Sequence, residues 1–169
     1  MTTIVTDGQL IAWDSRITLY DQRLIYPIHK VQYLRGRLYA TAGSSPNAAW
    51  FAKWYEAKFP QDSIPPGDWT LLVVEKDERL YFLTNKDAFP EEISYPFGIG
   101  SGASYAMGAL LMGANAAKAA CAAAKLDTGS SGPVYAMKIA DALKGKWSGK
   151  RVPTEYDVYE ELGVNQGKQ

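Results

Sequence analysis

Residues 1–16 read MTTIVTDGQLIAWDSR, and their alternation decides the fold. Apolar and polar side chains take turns on both sides of Asp7-Gly8-Gln9, the short-range signature of a β-hairpin. Two registers are open. A type I′ turn at Asp7-Gly8 sets Thr2 opposite Trp13, whereas a type II′ turn at Gly8-Gln9 sets Thr2 opposite Ser15. In both, strand parity puts Asp14 on the face of Thr3 and not on that of Thr2. Most domains leave their first residues unordered. A strand that starts this early suggests a terminus with a chemical task.

Working outward, KVQYLRGRLYATA (30–42) reads as a second hairpin turning at Arg35-Gly36, which sets Lys30 opposite Thr41. Gly43 and Ser44 break the strand. Ser45 as N-cap and Pro46 at the first helical position then predict a helix to about Phe59. WTLLVVE (69–75) and RLYFLT (79–84) form a third hairpin around Lys76-Asp77-Glu78. YPFGIGSG (95–102) leads into a helix predicted over about Ala103 to Lys125, which holds eleven alanines together with Gly108 and Gly113. So many small residues predict a helix lying flat on a sheet and covered on its other side. LDTGSSGP (126–133) ends it, and PVYAMKI (133–139) reads as a last core strand.

Hairpins with helices arriving at two separated places give an α+β class, with two antiparallel sheets between helix layers, a four-layer αββα sandwich. A chain of 169 residues fits one domain. Residues 1–139 form its body, and 140–169, more polar, are expected to pack on it as a C-terminal extension. The 18 basic and 18 acidic side chains balance, so no global field draws the chain to nucleic acid or anionic lipid. No apolar run approaches the ~20 residues of a membrane span, and the start lacks the pattern of a signal peptide. A cytoplasmic protein is expected.

One histidine and one cysteine cannot supply the usual metal-ligand set, and no cofactor is expected. Cys121, inside AAKAACAAAKL, reads as a small buried hydrophobe, and His29 as structural. Gly98, Gly100 and Ala103 match a G-x-G-x-x-A dinucleotide fingerprint, but hairpins precede them where a βαβ unit is required.

A threonine hydroxyl is a poor nucleophile without a base in reach. Once Met1 is removed, Thr2 carries a hydroxyl and an α-amine whose pKa of about 7.7 to 8.0 leaves much of it neutral near pH 8. Nucleophile and base then sit on one residue. TTIV, LIAWDSRIT, HKVQYL, YATAGSSPNAA, GIGSG and LDTGSSG occur in the order of the proteasome β-subunit and HslV-type peptidase family of N-terminal nucleophile hydrolases, which this chain resembles over about residues 2 to 138. DTGSSG is closer to the proteasome β-subunits, and the first segment to HslV.

The resemblance implies that Thr2 is the nucleophile, that Asp14 and Lys30 are the charged pair beside it, and that Gly43 is the backbone oxyanion donor. It makes Ser101, Asp127 and Ser130 the shell that orients the Thr2 amine. It further implies a homo-oligomeric ring that cleaves unfolded polypeptide, fed by an ATP-dependent unfoldase. The first hairpin is shorter than in HslV peptidases, and the Gly8-Gln9 register preserves the family pairing. Trp13 stands where a small residue is expected. Taken alone, Lys30 reads as a surface lysine, Asp14 as a turn-flanking acid, Ser101 as a helix cap and Ser130 as a turn serine. The competing functions are a catalytically silent assembly subunit on the same fold and an amide hydrolase acting on a small molecule.

Overall fold

The computed structural model describes residues 2–19, 22–25, 30–44, 48–146 and 150–151. The expected cap at Ser45 and Pro46, His29, and most of the C-terminal extension lie outside the described residues.

The opening hairpin, β1 (Ile4–Thr6) and β2 (Leu10–Asp14), takes the Gly8-Gln9 register, with Ile4 opposite Trp13 and Thr6 opposite Ile11. Gly8 has a φ of +94°, which a side chain would strain. Asp7 secures the turn, accepting from Gln9 N at 2.9 Å and Leu10 N at 2.7 Å through Oδ1. Its Oδ2 accepts from Ala116 N at 2.8 Å and so ties the turn to the helix above.

Three further strands complete the first antiparallel sheet around this hairpin. β10 (Phe97–Ile99) pairs with β1, β11 (Val134–Lys138) pairs with β2, and β12 (Lys150–Arg151) forms the far edge. The second sheet runs β5 (Val31–Leu34), β6 (Arg37–Gly43), β7 (Trp69–Val74), β8 (Leu80–Thr84) and β9 (Glu91–Ile93). Its first hairpin turns at Arg35 and Gly36, with φ of +52° and +84°, and Thr41 N donates to Lys30 O at 3.2 Å as the expected pairing requires. Neither β9 nor β10 was anticipated, and neither was the separate hairpin of β3 (Arg16–Leu19) and β4 (Gln22–Ile25).

Three apolar clusters hold these parts together. Ile4, Ile11 and Trp13 of the first sheet meet Val31, Leu38, Leu72 and Val74 of the second. The other face of the second sheet, with Tyr39, Leu71, Val73 and Leu83, takes Phe51, Trp54 and Tyr55 of α1 (Ala48–Glu56). Val5, Ala12 and Val134 on the other face of the first sheet meet a layer of alanines, Ala106, Ala116, Ala119, Ala120 and Ala123. Ile139 and Ala142, in α4 (Ile139–Leu143), join the cluster between the sheets.

Three expectations need correction. The single long helix is two, α2 (Ala103–Leu111) and α3 (Ala116–Leu126), because Gly113 reverses the chain at φ +95° and the Asn115 side chain caps α3 by accepting from Lys118 N at 2.9 Å. That helix was also expected to be covered, yet Tyr105, Leu111 and Met112 are exposed, and a Cβ at Gly108 or Gly113 would meet nothing within 4 Å. α1 ends at Glu56 rather than Phe59, since Lys58 and Phe59 both turn left-handed. Trp13 fits where a small residue was expected because its side chain enters the core between the sheets and stacks on Tyr135, ring centroids 6.1 Å apart. Among the described residues no helix is long and apolar enough to cross a membrane.

Candidate active site

Thr2 is buried just ahead of β1, held by backbone contacts to the β10–α2 corner. Gly102 N donates to Thr2 O at 3.4 Å. A Cβ on Gly100, whose φ is +92°, would lie 1.9 Å from that same oxygen. This corner therefore admits the N-terminal strand only because it is glycine. The same contact disposes of the dinucleotide motif, because the approach to these glycines is filled by the chain's own N-terminal strand.

Asp14 terminates β2 on the face of Thr3, as parity requires, and its fully buried carboxylate accepts four hydrogen bonds. Oδ1 takes Thr3 N at 2.8 Å and Lys30 Nζ at 2.7 Å. Oδ2 takes Ser131 N at 3.1 Å and Arg16 N at 3.2 Å. Neither the turn-flanking acid nor the surface lysine describes these residues, since the Lys30 side chain is only 7% exposed. Burial lowers the Lys30 pKa below its ordinary 10.5, and the nearby Arg16 cation lowers it further, while Asp14 and Asp127 pull the other way.

A second polar cluster approaches from the α3–β11 turn. Ser101 Oγ donates to Asp127 Oδ2 at 2.7 Å, and Ser130 Oγ donates to the same oxygen at 2.6 Å. Ser130 Oγ also lies 2.6 Å from Thr3 Oγ1. α2 is capped by Gly102 without a side-chain bond, so Ser101 serves Asp127 and not the helix. Burial works to raise the Asp127 carboxyl, but the bonds from Ser130, Ser101 and the Gly129 amide outweigh it, and the pKa is lowered from the ordinary 3.8.

Gly43 closes β6 at φ +97°, with the position of its missing Cβ only 2.2 Å from Asp68 O. Lys30 pairs with Thr41, two residues earlier on the same strand, so one hairpin carries both the buried cation and this backbone corner.

Thr3, Arg16 and the Ser131 amide belong to the arrangement and escaped the sequence reading. Arg16 is buried, Nη1 donates to Thr128 O, and Nε has no partner among the described residues. Parity with Asp14 was a signal for Thr3. For Arg16 and a backbone amide the sequence carries none.

No protein-family model matches the chain, and no curated protein matches it in sequence. Solved structures do match. BPH of Thiobacillus denitrificans in complex with epoxomicin is 18% identical, covering 82% of this chain and 97% of its own, with a TM-score of 0.58. HslV of Trypanosoma brucei is 16% identical over 81% of this chain and 97% of its own, TM-score 0.58. Anbu, the ancestral β-subunit of Yersinia bercovieri, is 14% identical over 96% of this chain and 93% of its own, TM-score 0.62.

Proposed function

Sharing the fold of the HslV and Anbu structures, this chain is, we propose, a threonine-type peptidase of the proteasome and HslV kind, with Thr2 as its nucleophile after Met1 is removed. The observation that carries the reading is the convergence of two polar clusters, the buried Asp14–Lys30 pair and the Ser101–Asp127–Ser130 group whose inner member Ser130 is buried, on the backbone and hydroxyl of Thr3, the residue next to the nucleophile. A buried ion pair and a chain of hydroxyls beside one strand end are costly to assemble for packing alone.

In this reading the Thr2 amine accepts the hydroxyl proton as Oγ1 attacks a peptide carbonyl, and the amide of Gly43 donates to the oxyanion. The proton passes to the leaving amine as the C–N bond breaks. Water then opens the ester, with the same amine as base. Lys30 supplies positive charge near the nucleophile, and Asp14 fixes it. Ser101, Asp127 and Ser130 orient the Thr2 amine.

The layers are those of a four-layer αββα sandwich, supported by the three apolar clusters. Residues 140–169 belong to the same domain, as the extra edge strand β12 and the 96% coverage by Anbu suggest. The working form is a homo-oligomeric ring that shelters its sites, takes unfolded polypeptide and is fed by an ATP-driven unfoldase.

Epoxomicin, present in the BPH complex, is the probe. Purified protein whose intact mass lacks Met1 should form a covalent adduct that peptide mapping locates on Thr2, and Thr2→Ala should lose both adduct and peptidase activity. An adduct elsewhere, or full activity in Thr2→Ala, overturns the reading. Retained Met1 with no adduct would assign the chain to the silent assembly subunits.

A further inference from the structure

We propose that Thr3 is a positioning residue for this reaction, coupling the two polar clusters to each other and to the nucleophile that precedes it in the chain; the inference rests on the Thr2 reading above. The Thr3 amide donates to Asp14 Oδ1 at 2.8 Å, the oxygen that also receives Lys30 Nζ. On its other side Thr3 Oγ1 lies 2.6 Å from Ser130 Oγ. Ser130 has one hydroxyl proton, and it goes to Asp127 Oδ2 at 2.6 Å. The proton between Thr3 and Ser130 is therefore the threonine's. Thr3 donates in both directions, one bond from its backbone and one from its side chain.

Thr3 is fully buried, so water replaces neither bond when one is removed. Packing alone would be served by valine, which has the same branched shape and no hydroxyl to desolvate. The surroundings are also cut to fit the hydroxyl. A Cβ on Gly102 would stand 1.8 Å from Thr3 Oγ1 and 3.1 Å from Ser130 Oγ, so this glycine leaves the room in which the two hydroxyls meet. A displacement of Ser130 or of Asp14 is thereby transmitted to the residue bonded to Thr2.

The test compares Thr3→Val and Thr3→Ser in the full chain, each confirmed to lack Met1, on a fluorogenic peptide. Thr3→Val should lower kcat by roughly tenfold to a hundredfold with KM changed less than about twofold, and Thr3→Ser should stay within about threefold of the parental kcat. Adding Thr3→Val to Ser130→Ala should cost little beyond Ser130→Ala alone, because the serine change already removes the Thr3–Ser130 bond along with the one to Asp127. Thermal melting identifies a variant that fails to fold, and Ser130→Ala then reads the same bond from its other end, with a kcat loss at least as large expected because its bond to Asp127 is lost as well. Parental kcat in Thr3→Val, or an equal fall in Thr3→Ser, overturns the inference. An inactive parent with no label on Thr2 instead fails the Thr2 reading itself, so the two failures are distinguishable.

Discussion

Lys30 Nζ lies 2.7 Å from Asp14 Oδ1, and both side chains are almost wholly out of water. The two partners are not equally dependent on each other. Asp14 keeps three backbone donors, from Thr3, Arg16 and Ser131, if the lysine is removed. Lys30 without Asp14 loses its ion-pair partner while still buried.

Asp14→Ala should therefore destabilise more than Lys30→Met. Breaking a buried pair costs about 3–5 kcal/mol when a charge is left uncompensated, and this applies to Asp14→Ala. Urea unfolding of the two variants checks the order. Equal losses would mean that the three amides contribute nothing to Asp14.

The lowered Lys30 pKa gives a pH dependence of stability with a definite sign. Between the folded pKa and the ordinary 10.5 the unfolded chain holds a proton on this lysine that the folded chain has shed, so stability rises with pH across that window. Below the folded pKa the burial penalty is fully present, and it fades as pH climbs to 10.5. The unfolding free energy of the parent minus that of Lys30→Met should accordingly increase toward alkaline pH. A difference that falls would place the Lys30 pKa above the ordinary value.

Asp127 behaves in the opposite part of the scale. Its pKa is held below 3.8 by Ser130 and Ser101 against the effect of burial, so its contribution is present at neutral pH and is lost as pH falls through the folded value. Melting temperatures of the parent and Asp127→Asn should differ at neutral pH and converge in acid below 3.8. Curves that stay parallel would show that the carboxylate charge is not what the two serines stabilise.

Much of this arrangement was legible in the sequence because it depends on strand parity and turn chemistry. Gly8 located the first turn and left two registers open, but both put Asp14 on the face of Thr3, and the turn at Arg35-Gly36 set the pairing of Lys30 with Thr41. Serines 101 and 130 could be placed only by resemblance, since each suits a helix cap or a turn equally well. What stayed hidden depends on tertiary approach. β10 is three residues long and exists by pairing with β1, and the break at Gly113 lies within a run of alanines whose helical propensity hides it. Arg16 reaches Thr128 across the fold, 112 positions away, and no local pattern announces such a contact.

The glycine at position 100 offers the sharpest test of how the N-terminal strand is seated. Its φ of +92° lies where side chains rarely go, and a Cβ would stand 1.9 Å from Thr2 O and 2.7 Å from the carbonyl carbon. Both obstacles are backbone, so no side chain can swing aside. Gly100→Ala must either push Thr2 away or unwind the corner before α2, and the positive φ alone costs about 1–3 kcal/mol. Asp14 and Lys30 are anchored from other elements, so the ion pair should survive while the strand carrying Thr2 shifts. The expected outcome is a folded protein with a lower melting temperature whose labelling by epoxomicin slows by about a hundredfold, the scale on which a displacement near 1 Å acts. Gly108→Ala is the matched control, because a Cβ there meets nothing within 4 Å, and alanine in the middle of α2 should stabilise by about 0.5–1 kcal/mol. Parental labelling rates in Gly100→Ala would show that the seat of Thr2 does not depend on this contact.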